Sequence, residues 1–179
     1  MKCAVVLVLL AGCGDDGGGL VGKRVFTTSL TYDGALGGLA GADAKCAAAA
    51  SGAGLTGTWT AWISDGATNA IERITDVGPW SLLDGTVAFD DKAMLAVHPH
   101  VPLDIDEHAA QTFACVWTGT LATGAKAPAT CASWTSTTDV GGGVIGTGAI
   151  DGRWTDDAAH GPCGASTCAD KFRLYCFEQ

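Results

Sequence analysis

Basic residues are scarce in this chain: 10 Lys and Arg stand against 19 Asp and Glu. That balance speaks against nucleic acid, heparin-like polymers or anionic head groups as direct partners, because those are held through counterion release by Lys and Arg. A calcium-tolerant or cationic partner fits better. Zinc-finger spacing is also missing, since no Cys-x-x-Cys pair and no His-x-x-x-His partner occurs. The glycine-rich run from Gly141 to Gly148 lacks the Gly-Lys-Ser/Thr ending of a phosphate loop, and no helix is expected after it to present its amides, so it reads as a plain loop. No nucleophile stands beside an evident base and no catalytic carboxylate couple can be picked out, so no enzyme activity is expected. The apolar run from Ala4 to Leu10 is only 7 residues long. Spanning a bilayer takes about 20.

That short run nevertheless has a context. Met1-Lys2 precedes it and Leu10-Ala11-Gly12-Cys13 ends it, an arrangement that resembles a bacterial lipoprotein signal peptide with its lipobox. In such a signal one positive charge and an apolar core engage the export machinery, and small residues at the cut admit the peptidase. The resemblance implies that residues 1–12 are removed, that Cys13 carries the lipid, and that the protein is held at the bacterial cell envelope on the extracytoplasmic side. Anchoring by more than one acyl chain is stable, at about 0.8 kcal/mol per buried methylene. Gly14-Asp15-Asp16-Gly17-Gly18-Gly19 has no apolar side chain, so residues 13–23 read as the lipidated terminus and a flexible tether. About ten such residues span about 17 Å. The folded part should therefore work close to its membrane.

Residues 24–179 have the length of one domain with a real core. Setting Cys3 and Cys13 aside leaves Cys46, Cys115, Cys131, Cys163, Cys168 and Cys176, an even set in an exported chain, which predicts disulfides. Spacing alone does not choose among the pairings. Leu39, Ala42, Cys46, Ala49 and Ala53 form a helical stripe that Gly52 and Gly54 terminate. Strands are predicted over Arg24–Leu30, over Thr58–Ser64 with Trp59, Ala61 and Ile63 on one face and Trp62 on the other, and over Phe113–Thr118, Thr130–Ser136 and Lys171–Phe177. Ala67 to Gln111 reads as long irregular loops with one amphipathic fragment, Ala70–Ile74. The class is α+β.

Several blocks occur in a familiar order. Gly37-Gly38-Leu39-Ala40-Gly41-Ala42-Asp43-Ala44-Lys45-Cys46, then Gly54-Leu55-Thr56-Gly57-Thr58-Trp59-Thr60-Ala61-Trp62-Ile63-Ser64, resembles the opening of endostatin, the C-terminal fragment of certain collagens. Val116-Trp117-Thr118-Gly119, Cys131 with Trp134, and Cys168 with Cys176 continue the likeness. Trp62-Ile63-Ser64-Asp65 resembles the Trp-Ile-Gly-Leu motif of the wider C-type lectin-like superfamily. Trp154-Thr155-Asp156, Cys163 and Leu174-Tyr175-Cys176-Phe177-Glu178 resemble that superfamily's C-terminal pattern. The chain is also similar to a family of bacterial lipoproteins that carries this domain behind a lipobox. The resemblance implies an endostatin-type, C-type lectin-like fold: an Ala-rich helix, small mixed and antiparallel sheets, long loops and disulfide staples. It pairs Cys46 with Cys176 and Cys131 with Cys168, and leaves Cys115 and Cys163, which the endostatin pattern lacks, to each other.

Site candidates are thinner. The calcium-binding Glu-Pro-Asn loop of sugar-binding C-type lectins is absent, and Thr155 stands where their ligating Asn would be. The nearest substitutes for a calcium site are Asp104, Asp106 and Glu107 together with Asp156 and Asp157, which would supply the oxygen ligands the ion needs if their loops meet. No other cofactor is expected. His98, His100 and His108 invite a zinc reading, since endostatin binds zinc, but its ligands lie mostly in an N-terminal segment without counterpart here. They read as loop histidines. Trp80 and Trp154, beside turn residues, are the candidates for an exposed aromatic platform that stacks on a sugar or a partner chain. The function expected is that of a membrane-anchored binding module for a glycan or an extracellular protein. The alternative is an envelope-associated structural lipoprotein that binds no sugar.

Overall fold

The computed structural model describes residues 22–113, 115–157, 163 and 166–179. Cys13, the signal segment and the tether as far as residue 21 lie outside the described residues. The architecture is α+β. Strands β1 (Lys23–Thr27), β2 (Trp59–Ala61), β3 (Trp80–Ser81), β4 (Val87–Phe89) and β7 (Tyr175–Glu178) form one sheet in the order β2-β7-β1-β3-β4. Strands β5 (Cys115–Trp117) and β6 (Ile145–Thr147) pair antiparallel in a second. The first and last strands of the described residues are neighbours, with Phe26 opposite Cys176, and of the strand pairs among those residues only β1 with β3 is parallel. No helix among the described residues is long and apolar enough to cross a membrane.

Side-chain alternation on β1 and β7 divides the core in two. Val25, Tyr175 and Phe177 point into one cluster with Trp62, Trp80, Phe89 and Trp154. Phe26, Leu174 and Cys176 point into the other, with Trp59, Trp117 and Trp134. A strand with period two can be apolar throughout only when both faces are covered. Helix α1 (Gly38–Gly52) covers the second face with Ala42, Cys46 and Ala50, the small side chains letting its axis approach the sheet. Three disulfides tie these parts together: Cys46–Cys176, Cys115–Cys163 and Cys131–Cys168, with Cα–Cα separations of 5.5, 5.8 and 5.5 Å. Bridges of this number belong to an oxidising, extracytoplasmic compartment.

The outer edge of β2 is blunted by an ion pair. Arg73, at the end of the short helix α2 (Ala70–Arg73), donates to the carbonyls of Ala61 and Ile63 and forks onto Asp43, whose Oδ1 accepts the Ala61 N–H. Backbone groups that would otherwise invite another strand are thereby used.

Three local expectations are corrected. Thr130–Ser136 is no strand: Cys131 to Trp134 make one left-handed helical turn, with φ of 49, 53, 56 and 63°. The Cys131–Cys168 bridge and the buried Trp134 ring, whose Nε1 donates to the Ser64 carbonyl at 2.6 Å, hold this turn against local preference. The glycine-rich run contains β6, which pairs with β5, and glycine is required at 146 because a Cβ there would meet the Trp154 carbonyl at 2.0 Å. The middle of the chain contributes β3 and β4, too short to carry a periodic signal.

Candidate ligand-binding cleft

A cleft of about 540 Å³ opens between the 102–113 loop and the segment 147–153. That size suits a small ligand or one side chain of a partner. Its first wall is fixed from β1. Where β3 ends, Thr27 N donates to Ile105 O at 2.9 Å, so the loop continues the ladder alongside Asp106. Asp106 then closes the loop tip, its Oδ1 accepting the amides of His108 and Ala110 at 2.9 and 3.0 Å. Glu107 is buried, and its oxygens accept from Ser29 N and Oγ. These bonds carry Asp104, Gln111, Thr112 and Phe113 to the cleft.

The opposite wall rests on the aromatic core. Trp154 packs on Trp62, Phe89 and Tyr175 with ring centroids 5.0, 5.2 and 5.7 Å apart, which sets the 3-10 turn Gly152–Trp154. Tyr175 donates its hydroxyl to Thr147 O at 3.0 Å and so props the end of β6. Its phenol is pushed far above its ordinary value by burial, with the Asp104 charge adding to the effect. On this wall Arg153 is committed to a neighbour: Nε and Nη2 fork onto Asp151 at 2.9 to 3.1 Å. Side-chain and backbone hydrogen bonds from Arg153 hold the Asp151 carboxyl below its ordinary range. Asp104 by contrast accepts only from the neutral Gln111 amide, at 3.0 Å, among the described residues. Beside it Phe113 is 65% exposed.

The cleft is assembled from residues that the sequence reading passed over. Phe113, Gln111, Thr112 and Arg153 line it, and of the predicted site residues only Asp104 does. The strand expected over Phe113–Thr118 spans Cys115–Trp117, and nothing local marks Phe113 as exposed. Trp80 and Trp154 are corrected as an exposed platform, since both are fully buried. Trp80 stands edge-on to Phe177 at 5.8 Å and donates Nε1 to Glu178 O at 2.9 Å.

The five acids proposed for calcium are divided. Asp104 faces the cleft, Asp106 and Glu107 are engaged within their own loop and with Ser29, and Asp156 and Asp157 line a second cavity of about 310 Å³ with Ser166 and Val144. Among the described residues no group of three or more His, Cys, Asp or Glu is placed to hold a metal ion. The histidines are dispersed: His98 bonds the Pro99 carbonyl at 3.1 Å, His100 pairs with Asp90 at 2.9 Å, and His108 stands 3.9 Å from Glu107.

The chain matches no protein-family model and no curated protein.

Proposed function

We propose that this chain is a lipid-anchored extracytoplasmic binding module of C-type lectin-like, endostatin-type fold, which engages a glycan or protein ligand through the cleft. The observation that carries the reading is the cleft itself. A solvent-exposed aromatic ring, Phe113, lies in a concavity with Asp104, Gln111, Thr112 and Arg153, on walls braced by the core. A concavity that combines an apolar ring with a few convergent polar groups is the usual make-up of a ligand site. The fold assignment draws support from the helix packed on the sheet and from the pairings Cys46–Cys176 and Cys131–Cys168. Recognition rather than catalysis is proposed, because the lining holds no His, Cys or Lys beside its hydroxyls among the described residues. Attachment through Cys13 would hold this cleft near the envelope surface.

The test is a glycan and matrix-protein array probed with the full chain, with and without calcium, and repeated with Phe113→Ala. Binding that Phe113→Ala weakens at least about fivefold is expected, as loss of a stacking ring removes on the order of 1 kcal/mol. Binding that the variant leaves intact would move the site elsewhere. Metabolic labelling with a fatty acid checks the anchor, and labelling that persists in Cys13→Ser would remove it.

A further inference from the structure

We infer that the cleft, if it is the binding site proposed above, takes an organic cation: the guanidinium or alkylammonium end of a basic side chain on a partner peptide. The first argument is the charge inventory of the walls. Arg153, the one cationic side chain of the lining among the described residues, has its Nε and Nη2 closed onto Asp151, so its charge is matched on its own wall. Asp104 on the facing loop has no cation among the described residues, only the Gln111 amide on Oδ2. The charge left over in the cleft is negative.

The second argument is the balance of hydrogen-bond types. Gln111 spends one amide proton on Asp104, which leaves the second Asp104 oxygen as a charged acceptor beside the Gln111 carbonyl oxygen and its other N–H. A charged acceptor favours a ligand end made of charged donors, and Lys and Arg side chains are donors without acceptors. A sugar hydroxyl offers this carboxylate only a neutral donor, which bonds it less strongly than a cation does. Third, Phe113 presents its ring to solvent in the same cleft. The negative face of an aromatic ring attracts ammonium and guanidinium groups, and the alkyl stem of either finds apolar walls at Pro102 and Ala149. Fourth, the chain carries a formal net charge of −9, so the field around it draws basic segments toward the surface.

The experiment titrates the full chain with three acetylated, amidated tripeptides, Gly-Arg-Gly, Gly-Lys-Gly and the same peptide with citrulline, by calorimetry at low and physiological salt. Citrulline keeps the shape of arginine and removes its charge. The arginine peptide is expected to bind at least about tenfold tighter than the citrulline peptide, and to weaken as salt rises. Asp104→Asn keeps the Gln111 hydrogen bond and should lose most of that tenfold preference. Phe113→Ala should weaken the basic peptides about three- to fivefold, and Asp84→Asn, in an exposed turn of the same acidic protein, should change nothing.

Equal affinity for arginine and citrulline overturns the cation assignment. So does a loss with Asp84→Asn equal to that with Asp104→Asn, which would reduce the effect to diffuse attraction. Tighter binding of spermidine than of the arginine peptide overturns the peptide as the source. A neutral saccharide whose binding falls with Phe113→Ala, while no basic peptide binds at millimolar concentration, refutes the cation and keeps the cleft as the binding site. If neither variant alters the binding of any probe, both readings fall together.

Discussion

Replacing Ala132 by Gly should stabilise this protein, although Ala132 lies in a helical turn, where Gly is ordinarily harmful. Ala132 has φ 53° and ψ 52°, left-handed like its neighbours Cys131, Ser133 and Trp134. An L-residue there is disfavoured by about 1–2 kcal/mol through contact of its Cβ with the backbone, and Gly escapes that contact. The substitution also frees the unfolded chain, which works against stability by about 0.4–1 kcal/mol. Nothing else is lost: the side chain is exposed, its amide donates to Asp139 Oδ2 at 2.8 Å, and its carbonyl accepts from Thr135 Oγ1 at 2.7 Å, both backbone groups that Gly retains. The net gain is about 0.5–1 kcal/mol, or about 1–4 °C in melting temperature for a domain of this size. The matched control is Ala48→Gly on the exposed side of right-handed α1, where the same change should cost about 0.8–1 kcal/mol. Both are measured by urea and thermal unfolding with the disulfides intact. Opposite signs are expected, and a loss at Ala132 equal to that at Ala48 would refute the left-handed turn.

Removing the Cys46–Cys176 bridge, whose ends have a sequence separation of 130, should lower stability by about 5 kcal/mol on the loop-entropy model, against about 4 kcal/mol for Cys115–Cys163 and for Cys131–Cys168, with separations of 48 and 37. Paired Cys→Ser variants compared by denaturant unfolding would show whether that order holds. Burial raises Glu178, but the hydrogen bonds and charge of Arg24 more than reverse this and hold its carboxyl below the ordinary range. Its folded value lies below its unfolded one, so the stability it contributes is complete above the ordinary carboxyl range and is lost as pH falls through the depressed value. Glu178→Gln should therefore lower stability by about 1–3 kcal/mol at neutral pH and flatten the acid limb of the stability curve below about pH 5. An acid limb identical to wild type would exclude the Arg24 pairing. Trp154→Ala should cost about 3–5 kcal/mol and collapse the Arg153 wall of the cleft, so a variant with wild-type melting would contradict the buried placement of this ring. Millimolar calcium should raise the melting temperature no more than magnesium does, and a calcium-specific rise lost in Asp156→Ala would show that the separated acids do meet.

Where the information was local and repeated, the sequence by itself determined the structure. Helix α1 was legible because the stripe from Leu39 to Ala53 repeats over several turns in strong helix formers, and glycines mark its end. The faces of the 58–64 segment were legible because alternation over seven residues sorts Trp59, Ala61 and Ile63 from Trp62, and the two core clusters divide them the same way. The even set of cysteines announced bridges, while their pairing came from a resemblance in ordered blocks and not from spacing. Tertiary structure alone decided the rest. Thr130–Ser136 has the composition of a strand, but a disulfide and a buried indole impose a left-handed turn that no propensity favours. Trp80 and Trp154 stand beside turn residues, yet neighbours distant in the chain bury them, and Phe113 is left exposed for the same nonlocal reason. The cleft joins two segments about forty residues apart. Its charge balance depends on Arg153 turning to Asp151 instead of Asp104, a choice made by which side chains the folded walls bring within hydrogen-bond reach.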